Sequence, residues 1–330
     1  MDIVPDFRHE YGKAYIFAGE LEKAKQLQIS VLENRRKTLG DDHPDTLEAM
    51  YWVAWIYGDL GKLQEAEELG ILVVSKQREI LGDNHLVTLD AMANLAITYN
   101  RLGRLQEAEA LNLELLERRR RILGQNHPET VISMVNLAVT YNHLSRFREA
   151  EVLEVSVLQQ QKSSLGENHP GTMHTMSNLA FTYHKLEILQ EAEDLGTMVL
   201  EMRRSILGDN HPDTLLTIGN LAMTYNKLGR LQEAETLLVE ALKKRIDLLG
   251  NHHLSALRTQ SNLGSTFNKL ERWQEAEDLL VLALEKQKDL LSASHPHIID
   301  TINSLVITYT KLGKLKQAED LNEVLKGLEV

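Results

Sequence analysis

The chain of 330 residues predicts an all-α fold, a right-handed α-solenoid of about eight stacked helix-turn-helix hairpins. Three observations predict it. The hexapeptide Leu-Gly-x-x-His-Pro, whole or with one replacement, returns every 42 residues and sets marker histidines at His43, His85, His127, His169, His211, His253 and His295. An alanine keeps the same beat from Ala24 and Ala66 to Ala318, and so does an aromatic ring from Tyr15 and Tyr57 to Tyr309. Apolar residues follow helical spacing and nowhere alternate with period two. A fixed period of this length means like supersecondary units stacked on their neighbours rather than a closed globule.

Residues 85–126 show the elements in order. Leu89, Met92, Leu95, Ala96 and Tyr99 share one helical face. Leu102-Gly103-Arg104 interrupts, with Gly103 suited to the positive φ of a helix end. Ala108, Leu111, Leu115, Ile122 and Leu123 are the apolar positions of a second helix, which Gly124 ends. Asn126-His127-Pro128-Glu129 opens the next repeat, with proline and an acid where a first turn favours them. The alanine at 66, 108 and equivalents predicts close contact between the paired helices. Residues 1–330 thus read as a single solenoid of repeats 1–42, 43–84, 85–126, 127–168, 169–210, 211–252, 253–294 and 295–330, with no room for a catalytic domain.

Composition narrows the function. Apolar content of 43% and charged content of 25% are ordinary for a soluble protein. A net charge of −12 argues against bulk nucleic-acid binding. Cysteine is absent, so disulfides, thiol nucleophiles and cysteine-bound metals are excluded. The N-terminus lacks the pattern of a signal peptide and no apolar run approaches a membrane span, so the expectation is a cytoplasmic protein without membrane contact. No phosphate loop, nucleophile elbow, zinc-protease or kinase motif occurs, and the expectation is a non-enzyme needing no cofactor or metal.

Asn94-Leu95-Ala96-x-x-Tyr99, then Leu102-Gly103-Arg104, then Glu107-Ala108-Glu109 resemble a tetratricopeptide repeat, whose usual period is about 34 residues. The 42-residue variant resembles the repeats of kinesin light chains and of signalling ATPases of the STAND class. The resemblance covers essentially the whole chain. It implies that first helices line a concave groove and that Asn94, Asn136, Asn178, Asn220 and Asn262 contact a bound peptide. It also implies a taste for acidic peptides.

On a helical wheel Asp90, Ala93, Asn94, Ile97, Asn100 and Arg101 lie nearly opposite the core face. Two asparagine ladders hold constant there: Asn94 and its four equivalents, and Asn100 with Asn142, Asn226 and Asn268. Other positions vary, as in Glu48, Asp90, Ile132, His174, Leu216, Arg258 and Asp300, or in Trp55, Ile97, Val139, Phe181, Met223, Ser265 and Ile307. Constant amides beside variable side chains suit an extended peptide, since a carboxamide both donates and accepts. Two other readings stay open: the asparagines satisfy each other or backbone between repeats, and the Asn100 series ends helices.

A basic residue closes most first helices, as in Arg101, Lys185, Lys227 and Lys269, either complementing the helix dipole or forming a positive stripe in the groove. Trp52 and Trp55 break the ladder near the N-terminal end; they anchor a ligand or pack on a preceding domain or partner subunit. Trp273 reads as packing. The marker histidines read as loop and helix-start structure, because equivalent residues of stacked helices lie too far apart to share one metal. Arg118-Arg119-Arg120-Arg121 reads as a solvated helix end. The terminal repeats are atypical, with His9, Glu10 and Lys13 or Ser304 in the ladder, which centres contacts on residues 90–270.

The leading expectation is a scaffold that binds a protein or peptide in its groove. The alternatives are the sensor array of a STAND-type ATPase, suited by a chain that starts almost at a helix with very similar copies, and a purely structural or self-assembling spacer. Oligomeric state is open, with a monomer the simpler reading.

Overall fold

Helices occupy almost all of the residues that the computed structural model describes, 7–17, 20–291, 293 and 295–328. The first helices of the hairpins are α1 (Phe7–Phe17), α3 (Pro44–Asp59), α5 (Leu86–Arg101), α7 (Pro128–His143), α9 (Pro170–Lys185), α11 (Pro212–Lys227), α13 (Leu254–Lys269) and α15 (Pro296–Lys311). The second helices are α2 (Leu21–Leu39), α4 (Leu63–Leu81), α6 (Leu105–Leu123), α8 (Phe147–Ser164), α10 (Leu189–Leu207), α12 (Leu231–Leu249), α14 (Trp273–Leu290) and α16 (Leu315–Leu328). No strand occurs among the described residues. The chain divides into two compact units, Met1–Gln160 and Gln161–Val330.

The marker histidine explains how each first helix starts. In α3, α5, α7, α9, α11, α13 and α15 it is the N-cap, in extended backbone, and its Nδ1 accepts the backbone N–H two residues on. For His127 that donor is Glu129 N at 3.2 Å. The imidazole thus takes the place of the Ser or Asp side chain that usually satisfies a free N–H at a helix start. Proline follows at N1 in five of these seven helices, where its missing N–H is harmless.

The turn inside each hairpin needs a left-handed residue. Gly103 has φ 76°, while Ser145, Glu187 and Glu271 occupy the same position at φ 59°, 63° and 61°. After the turn, the guanidinium of Arg104 lies 4.6 Å from the Tyr99 ring centre and ion-pairs with Glu67 of the preceding hairpin. Arg146 on Tyr141 with Glu109, Arg230 on Tyr225 with Glu193, and Arg272 on Phe267 with Glu235 repeat the arrangement. The constant aromatic is therefore a platform for a cation that links hairpins.

Each unit packs its hairpins through the same small contacts. The beat alanines from Ala24 to Ala276 are at most 1% exposed. In unit 1, Met50, Leu89, Met92 and Leu115 share one core, and Met134, Leu137 and Val157 another. In unit 2, Leu238, Leu263, Leu280, Ile302 and Leu305 form the corresponding core, beside Leu215, Ile218 and Ala241. Within each unit successive first helices approach one another (α3 with α5, α5 with α7, α11 with α13, α13 with α15), whereas among the described residues successive second helices do not. First helices are therefore the inner row of each unit, and their free face is where a ligand would meet closely spaced backbones.

Candidate functional site

The inner row of each unit carries its part of the first asparagine ladder, Asn94 and Asn136 in unit 1 and Asn178, Asn220 and Asn262 in unit 2. Asn94, Asn136, Asn178, Asn220 and Asn262 are half-buried, and among the described residues none of their carboxamides has a hydrogen-bond partner. Their backbone carbonyls are engaged instead: Thr98, Thr140, Thr224 and Thr266 hydroxyls donate to the carbonyls of Asn94, Asn136, Asn220 and Asn262 at 3.1, 2.9, 3.3 and 2.9 Å. The side-chain amides keep both donors and acceptor open to solvent.

The second ladder is built differently. Asn100 Nδ2 donates to Thr140 Oγ1 of the next repeat at 2.9 Å, and Asn226 Nδ2 to Thr266 Oγ1 at 2.8 Å. Asn268 Nδ2 donates to Ser304 O at 2.9 Å while accepting from Thr308 Oγ1 at 2.8 Å. Asn142 Nδ2 donates to Glu154 Oε1 at 3.0 Å. His184 takes the place of asparagine in its repeat and meets Thr224 Oγ1 at 3.2 Å. Asn100, His184, Asn226 and Asn268 thus staple one repeat to the next and Asn142 ties the two helices of its own hairpin, so these groups are spent inside the stack rather than offered to a ligand.

The closing cations also serve the stack. Arg101 pairs with Asp59 at 2.9 Å, Lys227 reaches His184 O at 3.4 Å, and Lys269 reaches Asn226 O at 2.9 Å. Each thus binds the C-terminal end of the preceding first helix, where cations are favoured. Arg101, Lys185, Lys227 and Lys269 remain exposed, and Lys185 lies 5.3 Å from the Phe181 ring centre. Ile97, Val139, Phe181 and Met223 are half-exposed on the inner face. Phe181, Asn220 and Met223 line one crevice between α9, α10 and α11, with Gly196 in its wall. Trp52 and Trp55 are half-buried and pack against the cluster of Ile16, Ala24 and Ile56, with Lys13 over the Trp52 ring at 5.6 Å.

Sequence reasoning missed a third ladder, and Arg119 corrects the expectation of a solvated helix end. Arg119 is 2% exposed, although Arg120 and Arg121 beside it are exposed. It rises from α6 between α5 and α7, donating to Glu129 O at 3.1 Å and Ser133 Oγ at 2.9 Å and pairing with Asp90 at 2.6 Å. Arg35, Gln77, Gln161, Arg203, Arg245 and Gln287 hold the same position. Arg203 donates to Asp213 O at 3.1 Å and Thr217 Oγ1 at 2.6 Å. The restriction of this position to arginine or glutamine on the 42-residue beat was the available signal.

Charges on the face differ along it. Glu48 is held down to about 2 by its hydrogen bond with His9, against burial and with help from Lys13. His184 is pushed down to about 4 by burial and then by Lys227, Lys185 and Lys269. Among the described residues no group of three or more His, Asp or Glu side chains is set to hold a metal ion, and no helix is long and apolar enough to cross a membrane.

The tetratricopeptide repeat family matches residues 7–73, 88–154, 175–247 and 255–324. The chain belongs to that family. No curated protein matches it. Among solved structures, this tetratricopeptide chain is similar to nearly identical TPR-like repeats of a candidate kinesin light chain from Podosopora anserina (29% identity, 63% of this chain and 98% of that one, TM-score 0.53). It shares the fold of the tetratricopeptide sensor-bearing STAND protein of Pyrococcus horikoshii (17% identity, 86% of this chain and 42% of that one, TM-score 0.60). It also shares the fold of NprR in complex with its cognate peptide NprX (15% identity, 98% of this chain and 89% of that one, TM-score 0.66).

Proposed function

We propose that this tetratricopeptide protein is a non-catalytic interaction scaffold whose units bind extended peptide on their inner, first-helix faces. The observation that carries this is the first asparagine ladder: half-buried amides on closely spaced helices, with no partner among the described residues. An amide in that position costs little while hydrated and gains direction when a peptide backbone replaces the water. Half-exposed Ile97, Val139, Phe181 and Met223 between the amides supply side-chain selectivity. NprR, a fold relative, holds a peptide, which supports a peptide as the ligand here.

The test is selection of ligands from a displayed peptide library on the full chain, followed by titration of variants. Asn94→Ala with Asn136→Ala, and separately Asn220→Ala with Asn262→Ala, should each weaken binding by about tenfold or more while leaving the helical spectrum unchanged. Selected peptides that bind both variants like the parent protein rule the ladder out, and a library yielding no ligand favours the spacer reading. The likeness to a STAND protein favours a second reading, a sensor array whose ligand regulates an ATPase; a Walker motif encoded upstream in the same gene would support it.

A further inference from the structure

The second-helix side of unit 1 contains a cleft that the inner-face reading does not use. Successive second helices do not approach one another among the described residues, and between α4 and α6 the gap opens to about 530 Å³. Ile71 and Val74 of α4 form one wall, Ala110 and Leu111 of α6 the other, and Leu95 and Tyr99 of α5 the floor. Ion pairs tie α4 to α6 at both ends of it. Arg78 Nη2 donates to the two carboxylate oxygens of Glu114 at 3.0 and 3.1 Å, and Arg104 pairs with both Glu67 and Glu107. The cleft is therefore held open by the fold, and its volume lies within the roughly 300–1,000 Å³ of ligand sites.

The lips of the cleft single it out among the repeats. Ser75 on α4 and Ala110 on α6 line it, and both are exposed. Every other pair of neighbouring second helices within either unit keeps at least one charged side chain at these two positions, as in Glu33 with Glu68 or Lys243 with Asp278. Only here are both side chains small and uncharged. Ile71, 44% exposed, is thereby left uncovered at the mouth, and Leu72 and Leu113 add exposed apolar surface on the same two helices. An apolar surface bared in one repeat and guarded by charge in the others marks a place of contact.

We propose that the α4–α6 cleft is a second docking site, separate from the inner face, for an amphipathic helix of a partner protein that inserts apolar side chains one turn apart and carries lysine or arginine beside them. The walls decide for a helix. Ile71, Val74, Ala110 and Leu111 stand inside helices, whose backbone N–H and C=O groups already bond to each other, so nothing here pairs with the main chain of an extended peptide. An occupant that satisfies its own backbone is required, and the roughly 10 Å from Ile71 to Arg78 admits two anchors one turn apart. The rim decides for basic flanks: exposed Glu68 lies one turn before Ile71, Glu79 one turn after Ser75, and Glu117 one turn after Glu114. A second copy of this chain would set the same acids against each other, which disfavours it as the occupant.

The experiment uses the full chain and a displayed library of helix-forming peptides of about 16 residues. One selected peptide is remade with its basic residues as glutamate and, separately, with a central proline. The expected result is enrichment of apolar residues three or four apart with Lys or Arg beside them, and a loss of about tenfold or more in both remade peptides. Ser75→Glu with Ala110→Glu gives the cleft the charged lips of other repeats, so it keeps the fold, and it should weaken the selected peptide about tenfold or more. Two added acids would strengthen a purely electrostatic attraction to a basic peptide, so the weakening reports the cleft. Ile71→Thr, the residue that α10 carries as Thr197, is the second arm and should weaken binding less. Asn94→Ala with Asn136→Ala should leave helix binding unchanged; if that variant weakens it and the cleft variants do not, the cleft is refuted and the inner-face reading stands. Undiminished binding to the cleft variants, a proline peptide that binds like its parent, or a library yielding no helix also refutes the cleft and leaves the inner face untouched. A dimer in sedimentation that Ser75→Glu with Ala110→Glu dissociates would make a second copy the occupant and overturn the partner assignment.

Discussion

The two units place the same residues in the same positions and then fill the surroundings differently. On the second helices, the position facing the neighbouring hairpin is Gln28, Gly70, Asn112 and Glu154 in unit 1 and Gly196, Leu238, Leu280 and Asn322 in unit 2, so leucine occupies it in unit 2 alone. Gln28 meets His9 at 2.9 Å and Asn112 meets Thr140 at 3.0 Å, whereas Leu238 and Leu280 are fully buried in aliphatic cores. The arginine ladder shows the same contrast in charge, Arg119 with its own acids against Arg245 without. A repeat therefore fixes where a side chain goes but not what it finds there. Stability resides in the second of these.

The largest test of that contrast is in the cores. Leu280→Ala should cost about 2–5 kcal/mol, because a fully packed leucine leaves a cavity. Asn112→Leu, which gives unit 1 the residue of unit 2, should cost less than about 1 kcal/mol, since one amide oxygen of Asn112 has no partner. Urea midpoints of the two variants would check the difference. Next in size is the arginine pair: Arg119→Gln should lose about 2 kcal/mol with its buried ionic bonds, and Arg245→Gln clearly less, because it removes an unpaired charge. Equal losses would undo the distinction. The glutamines of the same ladder give a smaller contrast. Both amide atoms of Gln77 lack partners, while Gln287 donates to Ser261 at 3.1 Å and accepts from Thr301 at 2.9 Å. Gln287→Met should cost about 1 kcal/mol and Gln77→Met should be neutral or stabilising.

A pH effect separates one position of unit 2 from its equivalents. His184 is held neutral in the fold, down to about 4 from 6.5, so the unfolded chain binds the proton first. Its neutral form stabilises fully above pH 6.5, and that contribution is lost as the pH falls towards 4. His184→Asn should flatten the acid decline in this window, measured as melting temperature against pH, and restore the staple seen at Asn100 and Asn226. An unchanged decline would contradict the assignment. The smallest effect is in the hairpin turns, where Glu271→Gly and Ser145→Gly should each raise stability by about 0.5–1 kcal/mol by relieving a left-handed side chain. Thermal melts would detect it, and a decrease would show that the glutamate or serine makes a compensating contact.

Much of this was legible before any coordinates. Marker histidines as helix starts, alanines as close contacts, Gly103 and Gly124 at positive φ, and the all-helical stack follow from local rules that repetition amplifies. Identity of function was less so. The two asparagine ladders look alike on a helical wheel, yet Asn100 and Asn226 point their amides at a threonine 40 residues away while Asn94 and Asn220 face solvent. Trp52 and Trp55 occupy the groove register but lean on the first hairpin.

The sequence by itself determined the elements, their order and their caps, because those depend on neighbours a few residues apart and recur with the 42-residue beat. Only the tertiary structure decided which polar groups are spent on the stack and which are left over. That decision depends on partners some 10 to 40 residues distant, such as Thr140 for Asn100 or Ser255 for Arg245, and on whether a charge brought between two helices meets an acid there. Arg119 and Arg245 share a position and a burial. Opposite charge within reach makes one an ion-paired link and leaves the other held by neutral oxygens alone.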